Sequence, residues 1–127
     1  VGRSGNDRLY GNDGRDRLYG NSGADRLYGN DGNDRLYGNN GADRLIGGIG
    51  NNTLTGGAGN DIFSINTGDG RDLITDYTSG EDRIQLLGGL AESDLNFASL
   101  GSHTRISYNG DLLAIVQNTI ADDITFI

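Results

Sequence analysis

From Leu9 onward one large apolar residue stands at every ninth position: Leu9, Leu18, Leu27, Leu36, Leu45, Leu54 and Phe63. Arg8 and Tyr10 flank the first, and Arg35 and Tyr37 flank the fourth. An inward side chain between two outward neighbours is the period-two mark of a short strand. The six positions between these triplets carry mostly Gly, Asn and Asp and read as turns. The pattern predicts three-residue strands joined by six-residue turns and stacked in parallel as a coil.

Seven phrases share one register: 2–10, 11–19, 20–28, 29–37, 38–46, 47–55 and 56–64. Places one and four are Gly in all seven, which predicts positive φ at sharp bends. Place two holds Asn12, Asn21, Asn30 and Asn39, then Gly48 and Gly57. Asn is the side chain that best tolerates left-handed backbone. Place six is Asp7, Asp16, Asp25, Asp34, Asp43, Asn52 and Asp61. Identical carboxylates stacked at the ~4.8 Å strand spacing repel unless a cation lies between them. An Asx turn capping its own loop explains one such Asp, but not a column in strict register.

Composition sharpens this reading. The 127 residues include 23 Gly and no Pro, Cys, Met or Trp; all ten basic residues are Arg, and the net charge is −8. Such a balance by itself describes a disordered chain; the nonapeptide order argues otherwise. One buried apolar residue per phrase is little to set against the entropy of ordering nine, so an external stabiliser is expected. Without Cys there is no disulfide framework or thiolate site. Hard oxygen ligands with no His or Cys beside them favour Ca2+. No segment has the ~18 apolar residues of a membrane helix, and no signal peptide opens the chain. Val1-Gly2 begins in mid-phrase, as a piece of a longer array would, with any catalytic domain upstream.

These phrases resemble the RTX glycine-rich nonapeptide, Gly-Gly-x-Gly-x-Asp-x-(large apolar)-x, a calcium-binding repeat used as a standard example of its type. "GGAGNDIFS" at 56–64 matches every specified place, whereas Asn52 departs at the ligand place. The resemblance implies an all-β fold, a parallel β-roll (a right-handed β-helix of nonapeptides) with two phrases per turn. It also implies ions between phrases 18 residues apart. The earlier loop would give its Asp and its second- and fourth-place carbonyls, and the later loop its Asp and its first- and third-place carbonyls.

Carried onto this chain, Asp7 pairs with Asp25 through the carbonyls of Arg3, Gly5, Gly20 and Ser22. Asp25 pairs with Asp43 through Asn21, Gly23, Gly38 and Asn40, and Asp43 with Asp61 through Asn39, Gly41, Gly56 and Ala58. On the other edge Asp16 pairs with Asp34 through Asn12, Gly14, Gly29 and Asp31. Asp34 pairs with Asn52 through Asn30, Gly32, Gly47 and Ile49, at a site weakened by the Asn. "GRDLIT" at 70–75 and "GEDRIQ" at 80–85 continue the motif irregularly, adding Asp72 opposite Asn52, Asp82 opposite Asp61, and Asp69 and Asp76 as lesser candidates. About five to seven ions would bring the net charge near neutral or slightly positive.

The roll is expected over 1–85, regular over 2–64 and degenerate over 65–85, with a small antiparallel β cap over 86–127. Within the cap, 104–116 reads as a hairpin about Asn109-Gly110, and 95–100 and 123–127 read as further strands. The end of the chain, with Asp122-Asp123 before apolar residues, also resembles some type I secretion signals. Calcium-dependent folding and secretion of an extracellular protein, with the type I machinery as partner, is the function the resemblance implies.

Arg and Tyr rows on the outer faces raise an alternative, an accessory module binding an acidic polysaccharide through Arg17, Tyr19, Arg35 and Tyr37, as in the mannuronan epimerase repeats they resemble. A plain solvated face is the simpler reading. An acidic chain disfavours nucleic acid. His103, the lone histidine, forms no triad motif with the nearby Ser102, Thr104 and Ser107 and reads as a polar hairpin residue. No catalytic motif is present, so the chain is expected to be non-enzymatic.

Overall fold

The computed structural model describes residues 1–127 and contains twelve strands and two short 3-10 turns. The repeats form β1 (Arg8–Asp13), β2 (Arg17–Ser22), β3 (Arg26–Asp31), β4 (Arg35–Asn40), β5 (Arg44–Ile49), β6 (Thr53–Ala58) and β7 (Ile62–Ile65). The degenerate stretch adds β8 (Asp72–Ile74) and β9 (Arg83–Leu86). Odd strands make one parallel sheet, β1-β3-β5-β7-β9, and even strands lie in the other. Each strand pairs with the one two phrases on, in register: Leu9 faces Leu27, Leu18 faces Leu36, and Leu36 faces Leu54. This is a parallel β-roll with two phrases per turn.

Strands β1–β6 are longer than three residues, because pairing resumes past place one: Asn12 faces Asn30 and Asp13 faces Asp31. Stacked turns of identical shape continue the ladder through the bend, as where Gly5 N–H donates to Ser22 O (2.8 Å).

Inside, the eighth-place side chains form one core from Leu18 to Phe63, with Leu27, Leu36, Leu45 and Leu54 fully buried. The same core runs on through Ile74, Ile84, Ile106, Val116 and Ile124. After a 3-10 turn, β10 (Asn96–Leu100), β11 (His103–Tyr108) and β12 (Asp111–Val116) form an antiparallel meander. Its hairpin turns at Asn109 and Gly110, both at positive φ (48° and 88°), as a primed turn requires. β12 then joins the even sheet parallel to β8, so the meander extends that sheet past the last coil. The strand expected over 123–127 shrinks to one bridge, Phe126 with Ile84, after a 3-10 turn at Ala121–Asp123. It still covers the end of the odd sheet, since Ile84 N–H donates to Thr125 O and Ile127 N–H to Ile84 O. No helix is long and apolar enough to cross a membrane.

Candidate metal centre

The turns place the sixth-position side chains in two columns, one along each edge of the roll. In each column a carboxylate oxygen accepts the backbone N–H of its counterpart one turn earlier. Asp25 Oδ1 accepts from Asp7 (2.7 Å), Asp43 from Asp25 (2.8 Å), Asp61 from Asp43 (2.9 Å) and Asp82 from Asp61 (2.9 Å). On the other edge Asp34 Oδ1 accepts from Asp16 (2.8 Å) and Asn52 Oδ1 from Asp34 (2.9 Å). The spacing of 18 residues expected from the repeat is thus the spacing of neighbours in space. Asp72 lies against Asn52 and Asp82 against Asp61, across the irregular insertions.

The second oxygen of these carboxylates is left over. Oδ2 of Asp16, Asp25, Asp34, Asp43 and Asp61 is buried and has no hydrogen-bond partner. Asp25, Asp34, Asp43 and Asp61 are each 1% exposed. A buried carboxylate oxygen without a partner is costly, and five in register call for a shared counter-charge. The surroundings supply further oxygens. A methyl built on Gly20 would lie 2.5 Å from Asp25 Oδ2 and 2.6 Å from the Gly38 carbonyl oxygen. Equivalent pairs meet at Gly11, with Asp16 Oδ2 and Gly29 O, and at Gly38, with Asp43 Oδ2 and Gly56 O. At Gly32 a methyl would strike the fourth-place carbonyl of Gly14, with Asp34 Oδ1 3.4 Å away. The donor set is all hard oxygen and fits Ca2+. Nowhere do three or more His, Cys, Asp or Glu side chains converge. Each step has at most two carboxylates, and carbonyls must complete any coordination.

Two reasons for glycine separate here. Fourth-place glycines have positive φ, from 114° at Gly5 to 142° at Gly32. First-place glycines do not; they are small because a Cβ would strike the aspartate and the next turn's carbonyl. The expected positive φ at place one is therefore replaced by a need for space. Place two, Asn12 to Asn39, has φ of 70–80° as expected. Third-place carbonyls already accept one amide each: Gly5 N–H donates to Ser22 O, Gly14 to Asp31, Gly23 to Asn40, Gly32 to Ile49 and Gly41 to Ala58. One lone pair per carbonyl remains.

Burial pushes the carboxyl of Asp61 up to about 7, offset by the Asp43 N–H and reinforced by the charges of Asp82, Asp43 and Asp76. Burial also lifts Asp72 to about 7 against the hydrogen bonds from Asn52. Asp34, Asp43 and Asp82 shift upward for the same leading reason. Without a cation these five carboxyls resist ionisation.

Some contributors carry little signal in the sequence. Asp76, a lesser candidate, takes the N–H groups of Gly56 (2.9 Å) and Gly57 (2.8 Å) on its two oxygens. Asp69 accepts the Gly50 N–H on its backbone oxygen. Tyr77 donates to Asp82 O and accepts the Thr125 N–H, both at 2.8 Å, tying the last coil to the chain end. Asn at place five forms its own ladder: Asn33 Oδ1 accepts the Asn51 N–H (2.7 Å), and Asn51 Oδ1 the Arg71 N–H (3.1 Å). The recurrence of Asn at place five was its available signal.

The outer rows form as expected, with a change in detail. Tyr10 stacks on Tyr28 and Tyr19 on Tyr37, centroids 4.9 Å apart in both. Each stack covers one face of each ring, leaving Tyr19 and Tyr37 their edges and at most one further face apiece. A groove of 780 Å3 along the second edge is lined by Arg15, Arg17 and Arg35 with Asp16, Asp34, Asn33, Asn51 and Thr53. His103 Nδ1 accepts the Asn118 N–H (2.9 Å) and holds the cap's loop.

The RTX calcium-binding nonapeptide repeat family matches residues 1–36 and 37–74, in four copies. No match was found among curated protein sequences. Among solved structures, the extracellular lipase LipA of Serratia marcescens superposes with TM-score 0.73 at 23% identity. That match covers 91% of this chain and 19% of the lipase, so the chain spans about a fifth of that protein's length. The AlgE6R2 subunit of the Azotobacter vinelandii mannuronan C5-epimerase superposes with TM-score 0.65 at 29% identity, over 93% of this chain and 91% of the subunit.

Proposed function

The chain belongs to the RTX calcium-binding nonapeptide repeat family, and we propose that it is a calcium-dependent folding and secretion module of an extracellular protein. The observation that carries this reading is the register of buried Oδ2 atoms without partners at Asp16, Asp25, Asp34, Asp43 and Asp61. Bound calcium would supply the positive charge that lets facing carboxylates stay ionised together. The residues that would hold it are the paired aspartates Asp7–Asp25, Asp25–Asp43, Asp43–Asp61, Asp61–Asp82 and Asp16–Asp34, with the turn carbonyls beside them. The Oδ1 atoms of Asp25, Asp34, Asp43, Asp61 and Asp82 are already oriented by an amide from the preceding turn.

At the low free calcium of a cell interior the carboxylates repel and the chain stays unfolded, able to thread a type I secretion channel. Outside, millimolar calcium exceeds site affinities of ~10⁻⁴–10⁻³ M, a range typical of extracellular modules. Binding energy then becomes folding energy. Asp25, Asp43 and Asp61 each serve two steps, so loading is cooperative. The chain itself carries no catalysis in this reading.

Circular dichroism during a Ca2+ titration tests it, with Mg2+ as control. A sigmoidal gain of β signal with calcium alone is expected. A full β signal in chelator refutes the switch.

A second reading, retention of an acidic polysaccharide as an accessory to an upstream enzyme, is favoured by the groove lined by Arg15, Arg17 and Arg35. The guanidinium row would contact such a glycan, beside tyrosine rings that each have one face covered by the stacking partner. Replacing Arg17 and Arg35 with Ser then abolishes retention on a polyuronate matrix and spares calcium-induced folding. Unchanged retention refutes it.

A further inference from the structure

At one step of the second edge an amide stands where the other steps have a carboxylate. Asn52 is 2% exposed and Asp72 6%. Asn52 Oδ1 accepts the Asp34 N–H, as an aspartate would. Its Nδ2 donates to Gly48 O (3.2 Å) and to Asp72 Oδ1 (3.0 Å). Only this orientation satisfies all three bonds; turned over, the amide would set its oxygen against a carboxylate and its NH2 against an N–H. A methyl on Gly29 would meet Asp34 Oδ2 and a carbonyl oxygen, whereas a methyl on Gly47 would meet Asn52 Nδ2 and Asp72 Oδ1. A donor thus occupies the place of the unpartnered oxygen. Neither residue is among those with a buried atom lacking a partner.

We propose that the Asn52–Asp72 step is a metal-free joint, in which the Asn52 amide replaces a cation, binds no calcium and keeps the register when calcium is withdrawn. The inference rests on reading the other aspartate steps as calcium sites. A divalent ion here would have to displace two N–H bonds and would gain a single carboxylate. Neighbouring bonds also need no metal: the Thr55 and Thr75 hydroxyls meet at 2.7 Å, and Asp76 holds the Gly56 and Gly57 amides. The joint stands where the regular repeats give way to the irregular coil, so one stacking step there is independent of calcium. Calcium capacity is then set by the five steps that pair two carboxylates.

Native mass spectrometry of the full chain counts bound calcium, and amide exchange in chelator reads the joint. Asn52→Asp pairs carboxylates with both Asp34 and Asp72, so it is expected to bind two more Ca2+ than the wild type. In chelator its Leu73 amide, which bonds Asn52 O at 2.8 Å, should exchange about tenfold faster, the worth of one hydrogen bond. The pair Asn52→Asp with Asp72→Asn restores an amide facing a carboxylate at the joint, so the Leu73 exchange should return to wild type while one extra Ca2+ remains at the step between Asp34 and the new carboxylate. Equal calcium counts in the wild type and Asn52→Asp overturn the joint and leave the calcium reading standing. A wild type that binds no calcium overturns both. Should Asn52→Asp not fold in chelator, its loaded count still decides. In the wild type, a Leu73 amide that exchanges in chelator as fast as those of Arg26 and Arg35 also overturns the joint.

Discussion

Replacing Asp43 with Asn should move the two states of this protein in opposite directions. Asp43 sits between Asp25 and Asp61, is 1% exposed and leaves Oδ2 without a partner. Without calcium it faces two like charges. At the ~4.8 Å strand spacing and an effective dielectric of about 20, each costs on the order of 3 kcal/mol. The sum is an upper bound, because burial already pushes the Asp43 carboxyl toward its neutral form. Asn keeps the Oδ1 acceptor for the Asp25 N–H, as Asn52 does for Asp34. The metal-free fold should therefore gain up to several kcal/mol. With calcium, two steps keep one carboxylate of two. If each leaves the loaded fold about 1.4 kcal/mol less stable against the unfolded chain, a tenfold loss per step, a coupled transition of about five ions shifts its midpoint about 2.5-fold upward. Circular dichroism across a calcium titration reads both ends: more β signal in chelator, and a higher, shallower midpoint. Asp43→Ala is the control: it removes the same charge but strands the Asp25 amide at a cost of about 1–3 kcal/mol, so it should gain less β signal in chelator than Asp43→Asn and weaken the loaded state further. An Asp43→Asn protein no more structured in chelator than the wild type, with an unmoved midpoint, refutes the argument from stacked charge.

Gly20→Ala should remove one calcium ion from the count by isothermal titration, because its methyl fills the space between Asp25 Oδ2 and Gly38 O on an unstrained backbone. Gly14→Ala, at φ +121° with nothing within 4 Å, should keep the count and lose only about 1–3 kcal/mol to strain; equal calcium counts in the two variants contradict the site geometry. Protons should partly replace calcium. Asp61 and Asp72 rise from the ordinary 3.8 to about 7 on folding, so the metal-free fold binds the extra protons and is most stable below about 4. That stability is lost as pH climbs toward 7, so β signal in chelator should grow between pH 7.5 and 5; a flat profile contradicts it.

Much of the architecture could be read from the period alone. A repeat of nine with two phrases per turn turns contacts across the coil into a constant separation of 18 residues. The leucine column, the aspartate columns and the pairing of Asp25 with Asp43 were therefore all legible before any coordinates. The Asn109-Gly110 turn was legible for a local reason, since positive φ at both positions restricts the residues that fit. Other features depended on neighbours that no period marks. The glycines of place one are small because an aspartate and a carbonyl crowd them. Tyrosine rings stack on each other because parallel register sets them one strand apart. Tyr77 reaches Thr125 across 48 residues, and the antiparallel meander joins the even sheet beyond β8. Above all, the role of Asn52 depends on which oxygen stands opposite it. Local chemistry along the chain sets which groups recur; only the closed coil decides whether a buried oxygen meets a donor, a like charge or nothing.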